Sequence, residues 1–584
     1  MVRPSAGVWR RLSFIAALAL IGATVFSSTS LAAGGSKDRF KATGAVSGAG
    51  EGSDLRTPLE YEANAAANPV TAKQGLFSRC RFAPFAGTTG TYAAFQPREH
   101  DVIDNDTSFA FADGTSCWNP QNESNIVINP TDTRNIVSSS NDYRYEFRCF
   151  AYVSKDGGST WTNVAIPGWS AQTGATGVFA TTGCGGDPVM AFGPDGTLYF
   201  AGLTYDFSKY PAHQASGVAV SSSKDGGLHW SAPVMVDYTA TGDFFNDKEW
   251  IGVGNDGTVY LTWTKFYQGP RGFGYIKSPI VMSSSRTGGK SWSSTKEVSD
   301  SSHPYNQGSQ VGMLPNGDLL VAYEGATPDS GYNQDATIVA RSTDGGKSFT
   351  NAEIARVYDD LNCYPHQIGA QGRQTLSFEQ FRNSNFPSMA IDPTNGHIAI
   401  VWADNQGAGT CGTGDGTGSF SGTTSNQVKL ITSSNGTSWS SVRAITATVA
   451  DKAYPSVGAN HGVISVGYYT RDYSPVPTTT DRRCGIMERD SVTGALVLPV
   501  DPARAAAPVC LDWAVKMSND NFSTQIRVTS QSSNPYILFS GSFIGDYTGT
   551  AVNDLGKTVT VWTDFRGNPG VTSANQDTMV GILP

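Results

Sequence analysis

Residues 154–161 read SKDGGSTW, and the chain returns to that phrase as SKDGGLHW at 223–230, SRTGGKSW at 285–292 and STDGGKSF at 342–349. TSSNGTSW at 432–439 is a degenerate copy, and SNDNF from Ser518 a fainter one. Each copy follows an apolar run such as FAYV, GVAV or TIVA and precedes another short strand. The Asp-Gly-Gly centre supplies positive φ angles for a tight turn, and Ser and Asp side chains bond the turn's own backbone. The closing Trp or Phe is then placed to pack back on the sheet it came from.

Upstream of the turns runs a second signature. GDPVMAFGPDGTLYFAGLTYD begins at Gly186 and NDKEWIGVGNDGTVYLTWTKF at Asn246, with relatives from Asn122, Asn306, Asn385, Ala453 and Gly545. Each is two strands around an Asn-, Asp- or Gly-containing turn, followed by a third strand, the repeated turn and a fourth. Four strands recurring at this period predict propeller blades. Seven such units occur, and the seventh ends at DTMVGILP with no fourth strand after it. A propeller has to close to remove its sheet edges. An N-terminal strand, from PFAGTTGTYAAF or DTSFAFADG, is therefore expected to complete the last blade.

The rest of the chain fits an exported all-β protein. Residues 1–33 carry Arg3, Arg10 and Arg11, an apolar run from Leu12 to Phe26 and then Ser-Leu-Ala-Ala, the pattern of a signal peptide. Residues 34–75 are Gly/Ala/Ser-rich and read as a linker, which leaves 76–584 for the propeller. No later apolar run is long enough for a membrane helix. The 41 basic and 50 acidic residues give a net charge of −9, which argues against a nucleic-acid partner. Eight cysteines in an exported chain, without CxxC or HxxxH spacing, point to disulfides rather than a metal site, and no cofactor is expected. The propeller arrangement pairs them as Cys80–Cys117, Cys149–Cys184, Cys363–Cys411 and Cys484–Cys510.

In a blade the inner strand A descends from the top face and B returns, so A starts and B ends share the top, and the repeated turns lie on the opposite face. The A starts put Glu123, Asp187, Asp247 with Lys248, Gln307, Asn385, Tyr454 and Asp546 around the top mouth. The B ends add Asp142 with Arg144, Asp206, Lys265, Glu324, Asp404, Arg471 with Asp472, and Asp564 with Arg566. Long insertions at 352–384, 405–426 and 472–512 fall on the same face. Long loops on a rigid scaffold commonly carry binding.

The repeated turn resembles the Asp-box of the bacterial neuraminidase repeat, Ser-x-Asp-x-Gly-x-x-Trp, and the chain resembles the sialidase superfamily that carries it. Sialidases have six blades, so six is the alternative count. The resemblance implies an exo-acting glycoside hydrolase on extracellular carbohydrate or glycoprotein. Arg144, Arg471 and Arg566 would then hold a sugar carboxylate, with Asp546 beside them. Asp187 or Asp247 would be the acid, and Tyr454, or Tyr323 with Glu324, the nucleophile pair. Two other readings stay open: a glycosidase using a carboxylate pair such as Asp187 with Glu324, and a propeller that binds glycan or protein without turnover. The box is a structural turn of enzymes and non-enzymes alike, so fold alone does not choose among the three.

Overall fold

The computed structural model describes residues 89–90, 99–103, 120–142, 148–205, 215–268, 275–332, 334–358, 364–367, 373–405, 424–478, 481, 483–486, 488–489, 496–497, 502–536, 543–566 and 576–584. Seven small antiparallel sheets form a seven-bladed β-propeller. The inner strands are Gln121–Ile128, Gly186–Phe192, Phe244–Val253, Asn306–Met313, Ser388–Ile391, Lys452–Asn460 and Gly549–Val552, which number the blades 1 to 7. Blade 7 takes its outer strand from the N-terminal side, as ring closure demands. The donor is Glu99–Asp101, which pairs with Asp577–Leu583. It lies between the two segments expected from sequence. Thr89–Gly90, from the first of them, instead joins the outer edge of blade 1 against Trp161–Ala165. DTSFAFADG and the segments 1–33 and 34–75 lie outside the described residues.

The blades cohere through apolar side chains at each interface. Val137, Val153, Met190 and Phe200 pack blade 1 on blade 2, and Tyr260, Ile280, Val311 and Val321 pack blade 3 on blade 4. Val102, Ile103, Ile126, Phe150, Val559 and Val580 close blade 7 on blade 1. Each such side chain contributes about 1.5–3 kcal/mol through burial, and the ring distributes that gain over every interface.

The repeated turns share one hydrogen-bond design. In the first, the Ser154 hydroxyl donates to Asp156 (2.9 Å) and accepts from Gly158 N (2.8 Å), while Asp156 also accepts from Thr160 N (2.9 Å). Gly157 and Gly158 hold φ of 76° and 91°, and the Trp161 indole donates to the Gly158 carbonyl at 3.1 Å. Ser342, Asp344, Gly346 and Ser348 repeat the pattern in blade 4. The Ser348 hydroxyl and amide, with the Ser342 hydroxyl, hold the Asp344 carboxyl well below the usual range.

Disulfides join Cys149 to Cys184 and Cys484 to Cys510, as expected; the other two pairings fall outside the described residues.

Candidate functional site

Five of the seven inner strands share a distortion that shapes the channel. Pairing with the second strand slips between Asn122 and Asn125, Gly186 and Val189, Asp247 and Trp250, Gln307 and Gln310, and Ala453 and Ser456. Inside each slip one residue adopts a left-handed φ: Glu123 (55°), Asp187 (54°), Lys248 (52°), Gly308 (69°) and Tyr454 (45°). A bulge of this kind re-aims the side chain that carries it. Four of the five positions hold a side chain despite the conformational cost, about 1–3 kcal/mol apiece.

Re-aimed in this way, the charged side chains meet at the channel axis. The Lys248 ammonium of blade 3 lies 3.1 Å from Glu123 of blade 1, 2.8 Å from Asp187 of blade 2 and 2.9 Å from Asp546 before blade 7. Asp247 stands 4.0 Å from the same ammonium and accepts from the Gln307 amide at 2.8 Å. Arg382, from the loop that leads into blade 5, forks onto both oxygens of Asp546 at 2.7 and 2.5 Å and approaches Glu123 to 4.0 Å. None of the side chains of Glu123, Asp187, Lys248, Arg382 and Asp546 is more than 6% exposed. Burial works against ionisation of Asp546, but the Arg382 guanidinium and the Lys248 ammonium prevail and hold its carboxyl well below the usual range. Asn141 donates to the Glu123 carboxylate (2.7 Å) and accepts from the Asp187 backbone amide (2.7 Å), fixing one carboxylate and the backbone that carries another. Among the described residues no group of three or more His, Cys, Asp or Glu is arranged to hold a metal ion.

Beneath this cluster the channel holds a small cavity of about 40 Å³, bordered by Lys248, Glu249, Trp250, Phe386, Tyr454, Asp546 and Tyr547. Trp250 meets Tyr547 edge to face at 6.4 Å, and the Lys248 ammonium lies 5.7 Å from the Tyr547 ring centre. The cavity therefore has aromatic walls and one charged end.

The residues singled out from sequence divide between this cluster and separate braces. Asp187, Asp247 and Asp546 converge on Lys248. Tyr454 stands beside them, its hydroxyl donating to the Arg382 carbonyl and its pKa raised by burial and then by Asp546. Glu324 is buried at the end of the second strand of blade 4, opposite Gln307. Tyr323 and Glu324 are successive strand residues and so project to opposite faces; the Tyr323 hydroxyl donates to Asn351 at 2.5 Å. Arg471 is bound by Glu379 (2.8 Å) and Asp451 (2.9 Å), rather than by its neighbour Asp472. Arg566 grips Asp564 (2.7 Å) and both oxygens of Glu99 (3.1 and 3.0 Å). Arg144 lies outside the described residues. Arg382, the guanidinium at the channel, was not singled out at all. Only its place in the 352–384 insertion on the top face pointed towards it.

No established protein family matches the sequence, and no curated protein matches it either. Similar solved structures include a protein of unknown function from Dyadobacter fermentans, 15% identical over 64% of this chain and 95% of that one, at a TM-score of 0.38. The GH93 α-L-arabinofuranosidase of Fusarium graminearum in complex with arabinobiose is 15% identical over 64% and 92%, at 0.40. The sialidase of Trypanosoma rangeli with the inhibitor DANA is 11% identical over 82% and 94%, at 0.34. None of these likenesses assigns a role to a residue of this chain.

Proposed function

We propose that this chain is an exported carbohydrate-acting propeller that holds a sugar unit in the channel below Lys248, its end against the small aromatic-walled cavity. The observation that carries the reading is the pairing of aromatic walls (Trp250, Phe386, Tyr454, Tyr547) with two carboxylates, Glu249 and Asp546, at one end. Aromatic faces stack on the apolar faces of sugar rings, while carboxylates and an ammonium take the hydroxyls. A pair of carboxylates is also the acid/base equipment of glycoside hydrolysis. Asp546 is held ionised by Arg382 and Lys248. Glu249 borders the same cavity beside Trp250, as the candidate proton donor. This supports a carboxylate-pair mechanism over an arginine clamp, because Arg471 and Arg566 each already hold two carboxylates. Disulfides in two places suit an oxidising compartment and support export.

Turnover of fluorogenic sialosides, neutral pentosides and neutral hexosides tests the reading. One neutral class is expected to be cleaved. Glu249→Gln should lower kcat by about 10²–10⁴-fold, the usual contribution of a general acid, with affinity for the sugar within about tenfold of the parent chain. A second reading, binding without turnover, is favoured by the commitment of both Asp546 oxygens to Arg382. It predicts no cleavage in any class, and sugar binding that Trp250→Ala removes. If no sugar is bound or cleaved, both readings fail.

A further inference from the structure

One end of the channel is filled by the buried charged cluster and by the described part of the loop before blade 5, and the channel widens below. Lys248 reaches from blade 3 to carboxylates of blades 1, 2 and 7, so its side chain must cross the channel axis. Arg382 does the same from the far side, linking the loop before blade 5 to Asp546 and towards Glu123. That loop is fastened in place. Phe381 and Leu376 are fully buried against Tyr454, Tyr469 and Trp513, and Asn383 is buried beside them. The Tyr454 hydroxyl donates to the Arg382 carbonyl, and Arg471 donates to the Ser377 carbonyl at 2.7 Å and to Glu379 at 2.8 Å. These contacts fill the top of the channel with the chain's own side chains.

Below, the channel widens. A space of about 570 Å³ shares the lining residues Trp250, Gln310, Ser388 and Thr548 with the upper cavity, so the two adjoin. It runs down the inner strands to the turns that hold Asn129, Pro393 and Asp554, on the face of the repeated Ser-Asp-Gly turns. Its described lining is hydroxyls, amides and apolar groups, in which only His461 and Asp554 are ionisable, both towards the rim.

We propose that ligand reaches the cavity from this lower face, and that the channel is a blind-ended site for the terminal unit of a neutral glycan chain. The proposal rests on the reading of the cavity as a sugar site, and it reverses the side from which the loops suggest approach. A blind end admits a chain terminus and excludes a mid-chain segment. A lining with so little charge offers a polyanion nothing to offset its desolvation, whereas hydroxyls and amides suit a neutral polyol.

The route is tested without reference to any sugar. Ser388→Cys places a thiol at the junction of the two spaces, and its reaction with a small methanethiosulfonate is followed by mass spectrometry of its peptide. Ala390→Trp and Ala459→Trp each obstruct the lower channel, and Asp554→Trp, on an exposed turn where folding is not at risk, narrows its rim. Val476→Trp adds the same bulk on the loop face, at a residue 64% exposed. In chains that melt within a few degrees of the parent, the lower-face variants are expected to slow labelling tenfold or more and Val476→Trp to leave it unchanged. Unchanged labelling in the lower-face variants, or slowing by Val476→Trp, overturns the route. A second arm compares neutral oligosaccharides with free and with bulky-capped termini. Binding only of free termini is expected, and equal binding of capped chains overturns the blind end. Failure of the sugar reading looks different: thiol labelling still depends on the lower face, yet no saccharide binds.

Discussion

Arg382 is the residue whose loss should cost most. It forks onto a carboxylate that burial would otherwise neutralise, and its removal leaves Lys248 as that charge's remaining cationic partner in the cluster. Arg382→Ala is expected to lower unfolding free energy by about 3–5 kcal/mol, the cost of breaking a buried pair. Arg382→Met combined with Asp546→Leu should recover a large part of this, because two apolar side chains strand no charge. A denaturant series on the parent, both single variants and the double variant measures the coupling. A loss in the double variant equal to the sum of the two single losses would show that the pair carries no mutual stabilisation. The sequence made every member of this cluster but Arg382 legible. Glu123, Asp187, Asp247, Lys248, Tyr454 and Asp546 occupy one register of a repeat, so their convergence follows from the period. Arg382 lies in an insertion with no register, and nothing in spacing says that its side chain will cross the axis to Asp546. The proposed arginine triad had the opposite weakness. Arg471 and Arg566 have the right register at strand ends, but register does not reveal which carboxylates fold against them.

The elements divide in the same way between local and non-local causes. The repeated turns were readable because Ser, Asp and Gly within five residues satisfy one another, as the Ser342–Asp344–Gly346 bonds show. The bulges were not, because Glu, Asp, Lys, Tyr and Gly take the same left-handed position and leave no residue signature. The plugging loop depends on a single guanidinium shared between Glu379 and Asp451, and this makes it sensitive to pH. Burial, opposed by Arg471, pushes the Glu379 carboxyl up to about 8. An unfolded Glu titrates near about 4.3. Between those values the native chain keeps a proton that the unfolded chain has released, so stability falls as pH rises, by up to about 1.4 kcal/mol per unit. Asp404, pushed by burial to about 6, adds to the slope only below that pH. Denaturant midpoints from pH 6.5 to 7.5 at fixed ionic strength should therefore decline in the parent chain and decline less in Glu379→Gln. Identical slopes would mean that Glu379 is ionised in the native loop.

For the whole molecule, the ring needs a closing strand, and that need was readable from a seventh unit lacking its fourth strand. Which segment supplies it was not. Glu99–Asp101 is three residues long and pairs through its backbone, so it carries no alternating pattern of its own. What holds it is chemistry on either side. Val102 and Ile103 enter the interface between blades 7 and 1, and the Asn163 amide donates to the Val102 carbonyl at 2.8 Å. Arg566 binds both oxygens of Glu99, while burial keeps the fork from water. A bidentate guanidinium–carboxylate pair is directional, so it fixes the register of so short a strand as well as its presence. Arg566 is thus placed to latch the ring. Arg566→Ala and Glu99→Gln are each expected to destabilise the fold by about 3–5 kcal/mol, with the double variant little worse than either single one. Removal of residues 1–103 should expose the edge of Asp577–Leu583 and abolish cooperative unfolding, whereas removal of residues 1–75 should leave it intact. If Arg566→Ala unfolds at the parent's denaturant midpoint, or if the chain without residues 1–103 still unfolds cooperatively there, the latch is not what closes the ring.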